Sequence, residues 1–511
     1  LFFLGAAATS DACEKIVQSL NPQVLKREKE VSMRFARTLL SPIQIKSKDN
    51  ATALYFNGFS LYQVGACRFY ARGSFYQSGG AYGFRDQLQD CLALIYTSPK
   101  EVRTHLIRAA ARQYEEGDVQ HWWHAFEGDG GFRGLRTKCS DDLLWLPYCV
   151  ADYVEKTDDV SVLNTEIYYL HSETLHNEDE RYENAERSNV REKLYLHCVK
   201  AFECAFKLGA HGLPLMGSCD WNDAFSAMGE GSESVFVAWL YVLVAEKFIP
   251  ISRLFGDEET VSKLKKRISI LKTNAENTFT NDRYARAYFG NGSALGIESS
   301  DACKIDLLSQ AFSVFANADK AKAKTGVSTA YNKLFCNDTK IMRLFDPPFS
   351  DTTVNAGYIN GYAAGIRENG GQYTHGAMWI ATALFRAGRP DEGYGVLRDV
   401  LDLGHSESYG GEPFVIAADV SDKGQCGWSW YTGAASWYFT AVLEKLIEML
   451  GIRLVSGELR VSPRLPSRMD GYCCELKANG TLCRINVKRT GTRRDGSAVL
   501  PGGDIELNVT V

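Results

Sequence analysis

The chain has 511 residues, of which 45% are hydrophobic and 23% charged, an ordinary balance for a globular protein. A net charge of −5 argues against nucleic acid or an anionic membrane surface as a partner, and the apolar segments are too short to predict a membrane span. The 14 cysteines follow no repeated spacing, so they indicate reduced thiols and a cytoplasmic location rather than a disulfide framework or a metal site.

The start of the chain predicts a strand followed by two helices. Residues 1–8 are apolar and lack a basic flank, so we interpret them as the last strand of an upstream unit. Ser10-Asp11 and Asn21-Pro22 are typical helix starts, because Ser, Asp and Asn cap helices and proline suits the first turn.

The middle of the chain predicts a helical domain. Apolar residues recur at helical spacing up to about residue 440, with long loops rich in glycine and aromatic residues between the helices. About twelve helices fit this span, which suits an (α/α)6 barrel of two concentric rings over residues 49–448. From 449 to 511 polar and apolar residues alternate, with turns at Asn479-Gly480 and at 501–503, which predicts a small antiparallel β domain.

The most informative loop runs from residue 212 to residue 223. Asp220 and Asp223 flank Trp221 and an asparagine in a glycine-rich segment. In one interpretation a carboxyl group acts as an acid while Trp221 stacks on a sugar. In the other, the loop only caps a helix, a common role of Asp and Asn.

Two further segments carry polar groups that suit sugar binding or structure equally well. Arg85 and Asp86 either bind sugar hydroxyls in bidentate fashion or form a buried ion pair. His121 and His124 are three residues apart, a spacing that can hold a metal, but no matching ligand pattern accompanies them, which favours a pocket wall.

Two late loops supply hydrogen-bond donors. His375 lies in one, and Thr432 and Gly433 lie in the other. Together their side chains and the Gly433 amide make a plausible oxyanion site, although each taken singly is more typical of structure.

Several segments together resemble glycoside hydrolase family 94, the cellobiose, chitobiose and β-1,2-oligoglucan phosphorylases, and the phosphorylase region of cyclic β-1,2-glucan synthases. The resemblance runs from residue 1 to about residue 487 and rests on YQSGGAYGFRDQLQD, GDVQHWWH, RTKCSDDLLWLPY, GLPLMGSCDWND, GYAAGIRENGGQYTHGAMW, EPFVIAADV and GWSWYTGAASW. It implies an (α/α)6 barrel after a β-sandwich and a helical linker, so residues 1–48 are assigned to the end of that sandwich and the linker helices.

The resemblance also implies roles for individual residues. Asp223 is expected to be the catalytic general acid. The groups expected to hold the sugar substrate are Arg85, Asp86, Trp221, Asp220 and Glu368. The groups expected to hold phosphate are Arg72, His375, Thr432 and Gly433, with Arg68 as the alternative to Arg72. Cellobiose-type members carry arginine six residues before the position of Asp86, where this chain has Gly80, which favours the β-1,2 branch.

These residues predict inverting phosphorolysis of a β-linked gluco-oligosaccharide, most naturally β-1,2, to α-glucose 1-phosphate. Phosphate is already anionic, so one acid suffices and no metal or organic cofactor is required. Asp223 must then be protonated near neutral pH, for which burial beside Trp221 and the nearby Asp220 are the expected causes. The alternatives are an inverting β-glucan hydrolase and a region that binds or measures chains in a larger glucan synthase. A homodimer is left open.

Overall fold

The computed structural model describes residues 7–70, 81–124, 131–176, 178–351, 353–401, 409–430, 433–443, 449–478, 480–492, 494–500 and 504–511. Arg72, Gly80 and Thr432 lie outside these ranges, as do residues 1–6 of the predicted first strand and the turn at 501–503. The described ranges include the backbone of Arg68 but not its side chain.

Helices dominate the chain up to residue 443. The α-helices are α1 (Ser10–Ser19), α2 (Pro22–Leu40), α3 (Asn50–Leu54), α4 (Ser60–Val64), α5 (Phe84–Leu94), α6 (Pro99–Ala110), α7 (Asp142–Thr157), α8 (Leu194–Ala205), α9 (Val235–Phe255), α10 (Glu258–Glu276), α11 (Leu307–Phe315), α12 (Lys320–Leu334), α13 (Thr374–Arg386), α14 (Pro390–Asp399) and α15 (Ala434–Leu443). The predicted start of α2 is confirmed, because the Asn21 side chain accepts hydrogen bonds from the amides of Gln23 and Val24.

Six of these helices contact one another in a closed series. The contacts run from α5 to α7, α9, α11, α13 and α15, and α15 returns to α5. Each also contacts a second helix: α5 contacts α6, α7 contacts α8, α9 contacts α10, α11 contacts α12, α13 contacts α14 and α15 contacts α4. The six are largely buried, as expected for helices enclosed by others, and five of them are mainly apolar, whereas α5 also buries Arg85, Gln87, Gln89 and Asp90.

Helix α9 is the most apolar long helix of the described chain. By length and composition this helix could cross a membrane. However, 78% of its most apolar 18-residue stretch is buried inside the protein. Burial of this kind is typical of a core helix.

The strands form several small sheets. They are β1 (Ile43–Lys46), β2 (Ala81–Gly83), β3 (Gln120–His124), β4 (Arg133–Thr137), β5 (Glu166–His171), β6 (Glu180–Asn184), β7 (Glu186–Lys193), β8 (Glu233–Ser234), β9 (Phe279–Thr280), β10 (Arg283–Tyr284), β11 (Ala287–Tyr288), β12 (Ala294–Leu295), β13 (Ile305–Asp306), β14 (Phe335–Cys336), β15 (Ile341–Met342), β16 (Phe345–Asp346), β17 (Gln372–Tyr373), β18 (Asp419–Val420), β19 (Ile452–Val455), β20 (Glu458–Val461), β21 (Gly471–Ala478), β22 (Thr481–Lys488), β23 (Gly496–Val499) and β24 (Ile505–Thr510).

The C-terminal segment forms two sheets, in the orders β1-β21-β22-β24 and β19-β20-β23. Strands β21 and β22 pair in antiparallel order up to Ala478 and Thr481, as the predicted hairpin requires, and Asn479 of its turn lies outside the described residues. Two details correct the prediction. Strands β22 and β24 pair in parallel, so the domain is not wholly antiparallel, and β1, from the predicted linker, pairs with β21.

Candidate active site

Candidate residues lie at or before the starts of five of the six helices in the closed series. Arg85 lies in the first turn of α5, Asp142 is the first residue of α7, and the loop with Asp223 precedes α9. His375 lies in the first turn of α13, and Gly433 directly precedes α15. Helix N-termini carry unpaired amides and a partial positive charge, so this end of the helices suits an anionic ligand.

Asp223 lies at a cleft of about 670 Å³, a volume typical of ligand sites. Its side chain is 54% exposed, so a substrate can reach the carboxyl group. His121, Trp122 and Tyr358 are among the residues that line the same cleft. The prediction that the His121 segment forms a pocket wall is therefore confirmed.

The buried Arg85 side chain holds Asp223 in place through a hydrogen bond. Its guanidinium donates to Asp223 Oδ1 at 2.5 Å, to Asp141 Oδ1 at 2.7 Å and to the Asp220 carbonyl at 3.2 Å. Burial alone would lower the pKa of Arg85, but Asp141 and Asp223 raise it well above its usual value. Burial also raises the pKa of Asp141, to about 6. Arg85 is thus a buried ion-pair residue, but its partners are Asp141 and Asp223 and not the Asp86 of the structural alternative; its expected contact with sugar stays a prediction.

His121 is a second positive neighbour of Asp223. Its Nδ1 lies 2.7 Å from Asp142 Oδ2 and its Nε2 lies 3.8 Å from Asp223 Oδ1. Burial lowers the pKa of the imidazole, but Asp142 and Asp223 raise it well above the usual value. The two carboxylates thus favour the protonated form of the imidazole, whose Nε2 faces the acid.

Asp220 does not face the cleft, which corrects its predicted role in binding sugar. Its side chain is fully buried, and its two oxygens accept from the Arg286 guanidinium at 2.6 and 2.8 Å. The Ser234 hydroxyl donates to the same carboxylate at 2.7 Å. Burial would raise the pKa of Asp220, but Arg286 lowers it below its usual value. Asp220 thus anchors the loop that carries Asp223.

Neither expected cause of protonation at Asp223 is found in this geometry. The side chain of Asp223 is exposed rather than buried beside Trp221, and the carboxylate of Asp220 is directed at Arg286. Burial raises the pKa of another carboxyl group, that of Glu368, and Asp223 adds to this rise.

Trp221 supports His375 rather than offering a free face to a sugar, which corrects the stacking prediction. The residue is 6% exposed, and its ring meets those of Tyr373 and His375 edge to face, with centroids 5.2 and 5.3 Å apart. The Trp379 ring lies 5.1 Å away. Since Trp221 is two residues before Asp223, these contacts tie the acid loop to the predicted phosphate site.

His375 and Gly433 lie together, as the predicted phosphate site requires. A side-chain carbon built at Gly433 would lie 3.2 Å from His375 Cε1, so any larger residue there would crowd the imidazole. His375 is 2% exposed, and its Nε2 lies 2.8 Å from Gln89 Oε1. Gly433 and the imidazole ring are thus neighbours beside two helix N-termini.

Glu368 is a buried carboxyl group, 7% exposed, held by its neighbour Arg367 at 3.2 Å. Burial raises its pKa above the usual value, Arg367 opposes this and Asp223 adds to it. Arg367 adopts a left-handed backbone with φ 51° and lies over the Trp428 ring at 3.8 Å. A strained residue beside a buried carboxyl group is typical of a functional site.

Asp86 occupies the first turn of α5 and folds over Gly83, the residue that precedes the helix. A side chain at Gly83 would collide with the Asp86 carboxylate. Asp86 is half-buried, and its expected contact with sugar stays a prediction.

Two groups among the described residues have metal-ligand spacing. One is His121, Cys139 and Asp142, and the other is Cys139, Cys219 and Asp223. The Arg85 guanidinium lies against both, 3.6 Å from Cys139 Sγ and 2.5 Å from Asp223. Burial also raises the pKa of the Cys139 thiol well above its usual value. A fixed cation and a protonated thiol both disfavour a metal ion here.

The sequence grouped Gln89 with Arg85 and Asp141 with His121 but assigned neither a role, and it missed Arg286. Gln89 lies four residues after Arg85, a helical spacing that places both on one face of α5. Arg286 lies 66 residues from Asp220 and carries no local signal.

The sequence is similar to a known protein family and to known proteins. The sequence-family model of the glycosyl hydrolase 94 superfamily, catalytic domain, matches residues 35–448 of this chain. The chain is 34% identical over 506 residues to the cyclic β-(1,2)-glucan synthase NdvB of Rhizobium meliloti (strain 1021), covering 96% of this chain and 18% of that protein. It is 23% identical over 499 residues to the N,N'-diacetylchitobiose phosphorylase of Vibrio furnissii, covering 90% of this chain and 59% of that enzyme.

Solved structures add a likeness of fold. The GH78 family rhamnosidase of Bacillus sp. GL1 superposes with a TM-score of 0.56 at 10% identity, over 92% of this chain and 44% of that one. The chain spans less than two thirds of the length of these two relatives, NdvB and the Vibrio furnissii phosphorylase. Because the family model covers most of the chain, the chain belongs to the glycosyl hydrolase 94 superfamily.

Proposed function

We propose that this chain cleaves a β-linked gluco-oligosaccharide with inorganic phosphate and inverts the reacting carbon to give α-glucose 1-phosphate. The observation that carries the proposal is the different placement of the two loop carboxyl groups. Asp223 reaches the cleft, whereas Asp220 is buried against Arg286. An inverting hydrolase needs a second carboxylate roughly 6.5–9.5 Å from the acid, and Asp220 is not available for that role.

In this scheme Asp223 gives its proton to the glycosidic oxygen while a phosphate oxygen attacks the opposite face of the sugar. The bond to the leaving glucan breaks as the bond to phosphate forms. Hydrogen phosphate loses its own proton when it becomes the ester, and that proton restores the acid, so the reaction balances without a general base. Phosphate is a co-substrate, and the scheme uses no metal or organic cofactor.

The donors for phosphate are proposed to be His375, the Gly433 amide, the Thr432 hydroxyl and Arg72. The closeness of His375 and Gly433 and the two helix N-termini beside them support this role. The closed series of six helices, each with an outer partner, supports an (α/α)6 barrel as the architecture around the site. The product anomer tests the proposal directly: phosphorus and proton NMR of the reaction mixture should show α-glucose 1-phosphate, and the β anomer would contradict inversion.

We expect β-1,2-glucotriose to be phosphorolysed faster than cellobiose. Gly80 stands where cellobiose-type members have arginine, and a relative at 34% identity is named a cyclic β-(1,2)-glucan synthase. Initial rates for both oligosaccharides at saturating phosphate make the comparison, with laminaribiose as a third linkage. A higher rate with cellobiose than with the β-1,2 trimer would overturn the linkage.

We expect His375→Ala and Thr432→Ala to raise the KM for phosphate by about tenfold or more, because each removes a donor to a charged group. The KM for glucan should change much less. His124→Ala is a suitable control, because its Nδ1 is 3.1 Å from the Tyr182 hydroxyl rather than in the donor set. Equal changes in both Michaelis constants would argue against a phosphate site at these residues.

The second candidate function is an inverting β-glucan hydrolase with Glu368 as the base. The interaction of Glu368 with Asp223 favours it, since both carboxyl groups then serve one site. The two functions differ in whether sugar release needs phosphate and in whether Glu368→Gln abolishes phosphate-independent release. A further candidate is a role in binding or measuring glucan chains within a larger glucan synthase. Undiminished glucan synthesis in cells that carry the Asp223→Asn variant would support that role.

A further inference from the structure

Helix α5 connects the two halves of the site. Arg85 and Gln89 are four residues apart and therefore lie on the same face, one turn after the other. Arg85 donates to Asp223, the proposed acid, and Gln89 meets His375, the proposed phosphate ligand. Gln89 is fully buried, so its contact with His375 is screened from water.

The hydrogen bonds of Gln89 define which ring nitrogen of His375 carries a proton. Indole nitrogen can only donate, and Trp437 Nε1 lies 2.7 Å from Gln89 Oε1, so that atom is the amide oxygen. His375 Nε2 lies 2.8 Å from the same oxygen and must therefore also donate. The neutral imidazole is thus the Nε2–H tautomer, and Nδ1 is the atom that gains or loses a proton.

The aromatic rings around His375 cannot set this tautomer. Trp221, Trp379 and Trp437 contact the imidazole with centroids 5.3, 4.4 and 6.1 Å away, and they fix its position without offering an oxygen. The Gln89 amide nitrogen is buried and meets no acceptor within the described part of the chain. An unpaired buried N–H costs stability, which a leucine would avoid, so glutamine is better explained by its oxygen.

We propose that Gln89 is a positioning residue that holds His375 as the Nε2–H tautomer and thereby reserves Nδ1 for the proton that changes when an anion binds. The proposal rests on the assignment of His375 to the phosphate site. Gln89 would not touch substrate, and it would act on phosphate through the imidazole alone. Helix α5 would then position both the acid, Asp223, and the phosphate ligand, His375.

The kinetic test compares Gln89→Leu, which removes the acceptor, with Gln89→Glu, which retains one. Gln89→Leu should raise the KM for phosphate by at least about tenfold, with a smaller change in the KM for glucan, and Gln89→Glu should recover most of the loss. Gln87→Leu is the matched control. It lies on the same helix, and its Oε1 is 3.3 Å from another buried histidine, His105, outside the site. An equal effect of Gln87→Leu, or none in Gln89→Leu, would overturn the proposal.

A spectroscopic test is independent of activity and reads the tautomer in the wild-type protein. In wild-type protein labelled with ¹⁵N-histidine, the His375 signals, assigned by comparison with His375→Ala, should show a protonated Nε2 at every pH at which the protein is folded. A deprotonated Nε2 in the neutral ring would refute the tautomer assignment. If the wild type shows no phosphorolysis but Nε2 is protonated, the proposed function fails and the link between Gln89 and His375 stands.

Discussion

Asp223→Asn is expected to lower kcat for phosphorolysis by at least about 10³-fold, the upper range for loss of a general acid. An asparagine amide cannot release a proton to the glycosidic oxygen. Its oxygen can still accept from Arg85, which donates to Asp223 Oδ1 at 2.5 Å, so the fold should persist. The measurement is single-substrate kinetics at saturating phosphate, with thermal unfolding to verify the fold.

A substrate that needs no proton separates loss of the acid from general damage. β-Glucosyl fluoride has a leaving group that departs without protonation, so Asp223→Asn should react with it at a rate near that of the wild type. Asp220→Asn serves as the comparison and should act mainly by lowering stability, since Asp220 is buried against Arg286. Phosphorolysis near the wild-type rate in Asp223→Asn, or a larger effect of Asp220→Asn on kcat, would remove Asp223 from its role.

Arg286→Met is expected to destabilise the protein by about 3–5 kcal/mol, the usual cost of removing one partner from a buried ion pair. Arg286 is fully buried, and its loss leaves Asp220 without a cation and Asp306, 3.3 Å from its Nε, with uncompensated charge. Kcat should fall as well, because the loop that carries Asp223 loses its anchor.

The same substitution in an exposed ion pair provides the control. Arg191 pairs with Glu166 at 3.0 Å, but both side chains are about half exposed, so Arg191→Met should cost less than about 1 kcal/mol. Urea unfolding followed by circular dichroism compares the two. Equal unfolding free energies for both variants would show that Arg286 does not anchor the loop.

Local signals in the sequence predicted the elements that depend on neighbouring residues. The start of α2 follows from Asn21-Pro22, and the hairpin between β21 and β22 follows from the turn at 479–480. The pairing of β22 with β24 in parallel could not be predicted, because the two strands are joined by a segment whose path the pattern does not define.

The candidate site likewise has features that local sequence predicts and features that depend on distant residues. The acid loop was found from its two carboxyl groups, but the pattern could not show which one faces the cleft. That choice depends on Arg286, which reaches Asp220 from 66 residues away along the chain. The sequence around Trp221 likewise suggests a ring that stacks on a sugar. In the folded protein its neighbours Tyr373 and His375 enclose the ring.

The requirement for phosphate tests the account most directly. Initial rates of β-1,2-glucotriose consumption by the wild type should be near zero without phosphate. They should rise to saturation as phosphate is added, with one α-glucose 1-phosphate and one β-1,2-linked disaccharide formed for each trisaccharide consumed. Consumption that proceeds equally well without phosphate, and that Glu368→Gln abolishes, would identify a hydrolase and contradict the proposed function.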